Sequence, residues 1–209
     1  MKKIEKAVVT GASGFIGQPL VKSLVAKGVS VIAVDRNPAK QSICQSLQLD
    51  ISVPGILDDY LDEDTVIFHL AAKASVQASV IDPVSDFNNT CYGVFQILES
   101  ARRTKAKVIF PSTASIYDPS NVLPVSERSF VKPSSPYGAA KVAGEAYCTV
   151  YHRCYDVDVR VARMFSVYGV GMNRFAIHDI IRNIQKDSTV LPLLGDGKQI
   201  RDYLYIDDV

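Results

Sequence analysis

The sequence predicts an α/β fold: a doubly wound parallel sheet, followed by the start of a smaller C-terminal domain. Three observations carry this. Short apolar runs alternate with helix-periodic segments along most of the chain, the order that builds parallel βαβ units. A glycine-rich turn, Gly11-Ala-Ser-Gly14-Phe-Ile-Gly17, joins the first run to the first helical segment. As far as Arg163, every residue with a reading beyond packing falls at the C-terminal end of a strand or on the helix that follows.

Residues 7 to 10, Ala-Val-Val-Thr, suit a buried parallel strand. The helix after them carries Ile16, Leu20, Val21, Leu24 and Val25 on one face. Strand, glycine turn and helix together present backbone N–H groups and a helix N-terminus to a pyrophosphate, the arrangement of a Rossmann-type fold. Gly11 allows the sharp turn, Gly14 lets the backbone approach the phosphates, and Gly17 lets the helix pack closely. A second strand, Val29 to Val34, ends in Asp35, whose carboxylate suits the hydroxyls of an adenosine ribose and repels a 2′-phosphate. NAD is therefore favoured over NADP, although the adjacent Arg36 is a cation that accommodates such a phosphate in other sites. A short helix and a third strand ending near Leu49 come next. Asp50-Ile51 follows, with a carboxylate able to accept from an adenine amino group.

The periodicity then predicts a helix, a strand near Thr65 to Leu70 and a long helix near Pro83 to Arg103. Beyond it come a strand near Lys107 to Ser112, a helix from Pro136 to about Tyr155, and a strand near Val157 to Arg163. After Tyr168 the pattern changes to a helix (Phe175 to Gln185), a strand (Thr189 to Leu194) and a turn-rich loop (Gly195 to Arg201). The expected division is a dinucleotide-binding domain over 1–168 and a partial substrate domain over 169–209.

Tyr137 and Lys141 stand at i and i+4 and share one helix face. Pro136 reads as the first helical position and Ser134 or Ser135 as the N-cap, so Tyr137 lies in the first turn. A free phenol ionises near pH 10. A neighbouring ammonium and the positive helix end favour the phenolate and pull that value down. Such a pair exchanges a proton with a sugar or alcohol hydroxyl. Taken alone, the spacing also fits a solvated helix with a half-buried tyrosine.

Eight motifs in order resemble those of the extended short-chain dehydrogenases/reductases, the group containing NAD-dependent nucleotide-sugar epimerases and dehydratases. They are Gly11 to Gly17, Asp50-Ile51, His69-Leu-Ala-Ala72, Gly93 to Glu99, Pro111 to Tyr117, Ser135 to Lys141, Arg163 to Gly169, and Gly195 to Asp202 with Tyr205 to Val209. The resemblance implies Tyr137 as acid/base, Lys141 as its partner on the nicotinamide ribose, and Thr113 as the hydroxyl bonded to the reacting oxygen. It implies a cofactor wall of Gly11, Gly14, Phe15, Ile16, Gly17, Asp35, Arg36, Asp50, Ile51, Leu70, Ala71, Ala72, Lys73 and Ser112. Arg201 resembles the arginine that clamps a substrate diphosphate, and Ser166 stands where the family commonly has a substrate-facing Asn. The resemblance also implies a homodimer through the helices near 83–103 and 136–155.

The departures narrow the chemistry. Thr113 is followed by Ala114-Ser115, not by the Asp-Glu pair of 4,6-dehydratases. Thr90 stands where an Asn usually precedes the helix, with Asn88 and Asn89 adjacent, and Asp118 replaces a Gly. The expected reaction is epimerisation at C4 of a nucleotide sugar, a UDP-hexose or UDP-uronate. The alternatives are a 4,6-dehydratase, a decarboxylase, a keto-sugar reductase or a non-catalytic NAD-binding protein. Family members usually run longer, so the resemblance implies a chain short at its C-terminus.

Hydrophobic content of 47% and a net charge of +1 are those of an ordinary globular chain. There is no basic stripe for nucleic acid. The N-terminal apolar runs are too short to span a bilayer and are interrupted by Glu5 and Lys6, which points to the cytoplasm. Cys44, Cys91, Cys148 and Cys154 lack metal-ligand spacing and read as reduced thiols. His69, at a strand end, reads as structural.

Overall fold

A computed structural model describes residues 4–38, 43–186, 196–198 and 200–209. Its contacts divide the chain into two compact units, Met1–Arg163 and Met164–Val209. The division falls a few residues before the expected boundary at 168, so Ser166–Tyr168 packs in the second unit.

The first unit is built on a sheet of order β3-β2-β1-β4-β5-β6. The strands are β1 (Lys6–Thr10), β2 (Ser30–Asp35), β3 (Gln45–Gln48), β4 (Thr65–His69), β5 (Lys107–Thr113) and β6 (Val159–Met164). β1 pairs in parallel with both β2 and β4, so the chain reverses its winding direction at β1/β4. Ligands bind at the strand C-termini beside such a switch point. Central strands are apolar on both faces, as a sheet covered on both sides requires. Val8, Ile67 and Phe110 pack on one face with Val94, Ile97 and Leu98, whereas Ala7, Val9 and Val31 pack on the other with Val21 and Leu24. Burial of this kind contributes roughly 1.5–3 kcal/mol per large side chain.

Helices α1 (Gly17–Ala26), α4 (Gly93–Thr104) and α5 (Pro136–Tyr155) cover the sheet. Ser135 caps α5, its hydroxyl accepting from Gly138 N at 3.1 Å, and Pro136 fills the first helical position.

The long helix expected near 83–103 is corrected by the structure into α3 (Pro83–Asp86), a π-helical stretch (Phe87–Tyr92) and α4, and a separate α2 (Val76–Ile81) precedes it. Pro83 cannot continue α2, and Asp82 caps the new start by accepting from Ser85 N at 3.0 Å. Asn89 Nδ2 donates to the Ser85 carbonyl at 2.6 Å, occupying an acceptor that a regular helix would use for its backbone ladder. The short helix expected between β2 and β3 has no counterpart at 36–38 or 43–44, and residues 39–42 lie outside those described.

In the second unit β7 (Ser166–Tyr168) pairs in parallel with β8 (Tyr203–Tyr205), which the sequence did not suggest. Tyr168 stacks edge-on against both Tyr203 and Tyr205. α6 spans Phe175–Gln185. The strand expected at Thr189–Leu194 and the beginning of the following loop lie outside the described residues. No helix among the described residues is long and apolar enough to cross a membrane, and all four cysteines are free.

Candidate active site

The glycine turn is shaped by close backbone approach. Gly11 has φ +69°, and a Cβ there would lie 2.7 Å from Ala71 N and from the Leu70 carbonyl carbon. Only glycine suits both demands. A Cβ on Gly17 would collide with the Gly11 carbonyl and with Ala12, so Gly17 closes the turn on itself. The packing of α1 on the sheet, its expected role, is a secondary consequence. Ile16 supplies no side-chain cap to α1, and the first turn has no acidic residue. The helix start is therefore open to an anion.

Asp35 ends β2 and accepts from Ser13 N at 2.9 Å and from Asn37 N at 2.9 Å. Its carboxylate keeps further acceptor capacity. Asp50 accepts from Ser52 N and Ser52 Oγ, and the backbone N–H bond above all holds its carboxyl below the usual range. Arg36 lies 3.7 Å from Asp50, placing the cation across the mouth of this region.

Gly11, Gly14, Asp35, Arg36, Asp50, Ile51, Leu70, Ala71, Ala72 and Lys73 all line one cleft of about 470 Å³ at the strand C-termini. A volume of this order suits a small-molecule ligand. An elongated dinucleotide fits the residues present: glycine backbone and an open helix end for its phosphates, Lys73 for their charge, and Asp35 for a ribose. Phe15, Ile16, Gly17, Ser112, Tyr137 and Lys141 do not line this cleft. Ser85, Asn88 and Asn89 do; the asparagines adjoin Thr90, where the family usually has an Asn, and Ser85 carries no sequence signal.

Two further glycines seat α5, which bears Tyr137, against β5 and the turn after Thr113. A Cβ on Gly138 would sit 2.6 Å from the Ser115 carbonyl, and one on Gly144 would sit 2.8 Å from the Phe110 ring. The bare helix face thus lets α5 lie against β5 and the turn after it. Thr113 Oγ1 accepts from Ser115 N at 3.2 Å, which orients its hydroxyl. Lys141 is 4% exposed and donates from Nζ to the Pro111 carbonyl at 2.7 Å, over the Phe110 ring at 4.5 Å. Burial pushes its pKa down to about 8, opposed by Cys148, Asp86 and Glu145.

His69 is buried with Nδ1 2.9 Å from Thr10 Oγ1, and burial, helped by the Lys141 charge, pushes it down to about 3. It is a neutral structural ring. Ser166 N donates to the Asp202 carbonyl, so within the second unit Ser166 lies beside the segment bearing the exposed Arg201. No group of three His, Cys, Asp or Glu suited to a metal occurs among the described residues.

A family model described as the NAD dependent epimerase/dehydratase family matches residues 7–209. The chain belongs to that family. NAD is accordingly its cofactor. This epimerase/dehydratase relative is 34% identical to a UDP-glucose 4-epimerase of Mycolicibacterium smegmatis, over 98% of this chain and 70% of that protein. It is 30% identical to UDP-glucuronic acid decarboxylase 1 of Arabidopsis thaliana, of which it covers 51%. The crystal structure of UDP-glucuronic acid 4-epimerase from Bacillus cereus, in complex with UDP-glucuronic acid and NAD, superposes with a TM-score of 0.87 at 33% identity, over 97% of this chain and 70% of that one.

Proposed function

We propose that this protein epimerises a nucleotide sugar at C4, a UDP-hexose or UDP-uronate, through a transient 4-keto sugar. The observation that carries the reading is the seat of Gly138 against the Ser115 carbonyl, which brings the segment after Thr113 against the start of the helix bearing Tyr137. Tyr137, as phenolate, takes the proton of the sugar 4-hydroxyl and later returns it. Thr113 donates a hydrogen bond to the oxygen as it becomes a carbonyl. The Lys141 ammonium favours the phenolate and holds the ribose nearest the reaction. Bound NAD supplies a reversible hydride acceptor, regenerated in each cycle. Gly11, Gly14 and Lys73 hold the cofactor phosphates, Asp35 its adenosine ribose, and Asp50 its adenine. Arg201 and Ser166 belong to the substrate side, Arg201 through its forked donors to the diphosphate. Residues 1–168 then form the cofactor domain and 169–209 part of the substrate domain.

A cytoplasmic homodimer completes the reading. Val84, Phe87, Tyr147, Val150 and Tyr155 are exposed apolar residues on α3, the π-helical stretch and α5, the elements expected to pair with a second copy.

Incubation with NAD and a panel of UDP-, dTDP-, GDP- and CDP-sugars, read by chromatography with mass detection, tests the reaction. A product of unchanged mass is expected, lost in Tyr137→Phe with NAD binding retained. Loss of carbon dioxide or water would replace epimerisation by decarboxylation or dehydration. NAD binding without any turnover would make this a binding protein.

A further inference from the structure

A lysine ammonium carries three N–H donors and no acceptor. That of Lys141 is buried, and among the described residues it makes one hydrogen bond, to the Pro111 carbonyl at 2.7 Å. A buried charge with so few partners is costly. Its second contact is with an aromatic ring: Nζ lies 4.5 Å from the centroid of Phe110. A cation within about 6 Å of a ring centroid, over the ring face, is attracted by the negative π cloud, most strongly where water is excluded. Phe110 is itself 0% exposed, so water is excluded here.

The neighbouring elements are shaped around this contact. Gly144 lies one helical turn after Lys141, and a Cβ there would sit 2.8 Å from Phe110 Cζ and 3.1 Å from Cε1. The bare position is what admits the ring beneath α5. His69 of β4 stacks on the same ring, with centroids 6.2 Å apart and planes 20° apart. Burial keeps that imidazole neutral, so it brings no competing cation. Three titratable groups also act on the ammonium: Glu145 and Cys148 from its own helix, and Asp86 from α3. None of the three is hydrogen-bonded to it. Glu145 is held by Arg163 at 2.7 Å, and burial pushes both the Cys148 thiol and the Asp86 carboxyl towards their neutral forms. An aliphatic side chain at position 110 would fill the same core, but only an aromatic one presents a negative face.

We propose that Phe110 is a positioning residue of the acid/base pair: its ring face, with the Pro111 carbonyl beside it, anchors the Lys141 ammonium on the helix face that bears Tyr137. The role rests on the reaction proposed above. Desolvation disfavours the charged lysine in this pocket, and the π face offsets part of that penalty. A ring also differs from a carboxylate partner in what it leaves free. It stabilises the cation without accepting one of its N–H bonds, so the donors not given to Pro111 stay available to a ribose hydroxyl.

The test replaces Phe110 in the full chain by difluoro- and pentafluorophenylalanine. Fluorine withdraws charge from the ring face and leaves the shape and apolar character of the side chain nearly intact. The readout is the titration of Lys141, followed by the nitrogen resonance of its side chain in the protein without substrate, with Lys141→Met to assign the signal. The midpoint is expected to fall stepwise from about 8 with each degree of fluorination. At the pentafluoro ring the fall should be about one unit, a tenfold change in the protonation equilibrium. Phe110→Leu, which keeps an apolar side chain and removes the π face, should lower the midpoint as well and gives a second reading if the pentafluoro protein folds poorly. A midpoint unmoved by fluorination and by Phe110→Leu would overturn the proposal and leave Phe110 a core residue only. Because the titration needs no turnover, a failed sugar assay would count against the proposed reaction and leave this result standing.

Discussion

Arg163 and Glu145 form a two-pronged ion pair, with Nη2 to Oε2 at 2.7 Å and Nε to Oε1 at 3.0 Å. The same guanidinium donates to Tyr117 Oη at 3.0 Å and to the Glu127 carbonyl at 2.7 Å. β6, the helix bearing Tyr137, and the segment after Thr113 are thus tied by one side chain. The Glu145 bond in particular raises the Arg163 pKa beyond its already high value. The pair is mostly shielded from water, so truncating one member strands the other.

Arg163→Lys should therefore keep the charge and lose the fork. The expected cost is about 2 kcal/mol in chemical denaturation. Turnover should fall more than NAD affinity, because the strap joins the Thr113 and Tyr137 segments, proposed above as catalytic, and not the glycine turn. Equal losses in both would show the network to be structural only.

Gly138 gives a sharper version of the same argument. A Cβ there would lie only 2.6 Å from the Ser115 carbonyl oxygen, so one of the two must give way. Gly138→Ala should thus open the seat between Tyr137 and Thr113. A geometric displacement of about 1 Å costs on the order of a hundredfold in rate. Single-turnover absorbance at the reduced-nicotinamide band should show that loss, with NAD binding nearly unchanged. A variant as fast as the parent would mean that the contact does not set the geometry.

The parts of this site legible in sequence are those that act locally. The glycine turn, Asp35 after its strand and the Ser135-Pro136 start of α5 each declare themselves within a few residues. Gly17 was recognised for a weaker reason than the one the structure gives, since its collision with Gly11 is a closure of the turn. What stayed hidden depends on pairing across the fold. Arg163 and Glu145 are 18 residues apart with no periodic relation. The break in the long helix turned on one side chain, Asn89, competing for one carbonyl.

Acid should destabilise this protein through His69. Its folded pKa is depressed to about 3, whereas the unfolded imidazole titrates near 6.5. Between those values the unfolded chain binds the extra proton, so stability falls as pH drops below about 6.5. At pH 5 this one group accounts for about 2 kcal/mol. His69→Asn retains a polar atom for Thr10 and removes the titration. Its denaturation midpoint should fall less steeply between pH 6.5 and 4 than the parent's; parallel curves would locate the acid sensitivity elsewhere.

Asp35 serves the glycine turn and, in the proposed reading, the cofactor ribose. Its carboxylate accepts from Ser13 N within the glycine turn while facing the cleft. Asp35→Asn keeps an acceptor for Ser13 but removes the charge that repels a 2′-phosphate. Affinity for NAD should drop roughly tenfold with the loss of a charge-assisted bond to the ribose. NADP should gain, since Arg36 then meets the phosphate without an adjacent anion. Calorimetric titration with each dinucleotide reads both changes. An unaltered NAD-to-NADP ratio would mean that Asp35 shapes the turn without choosing the cofactor.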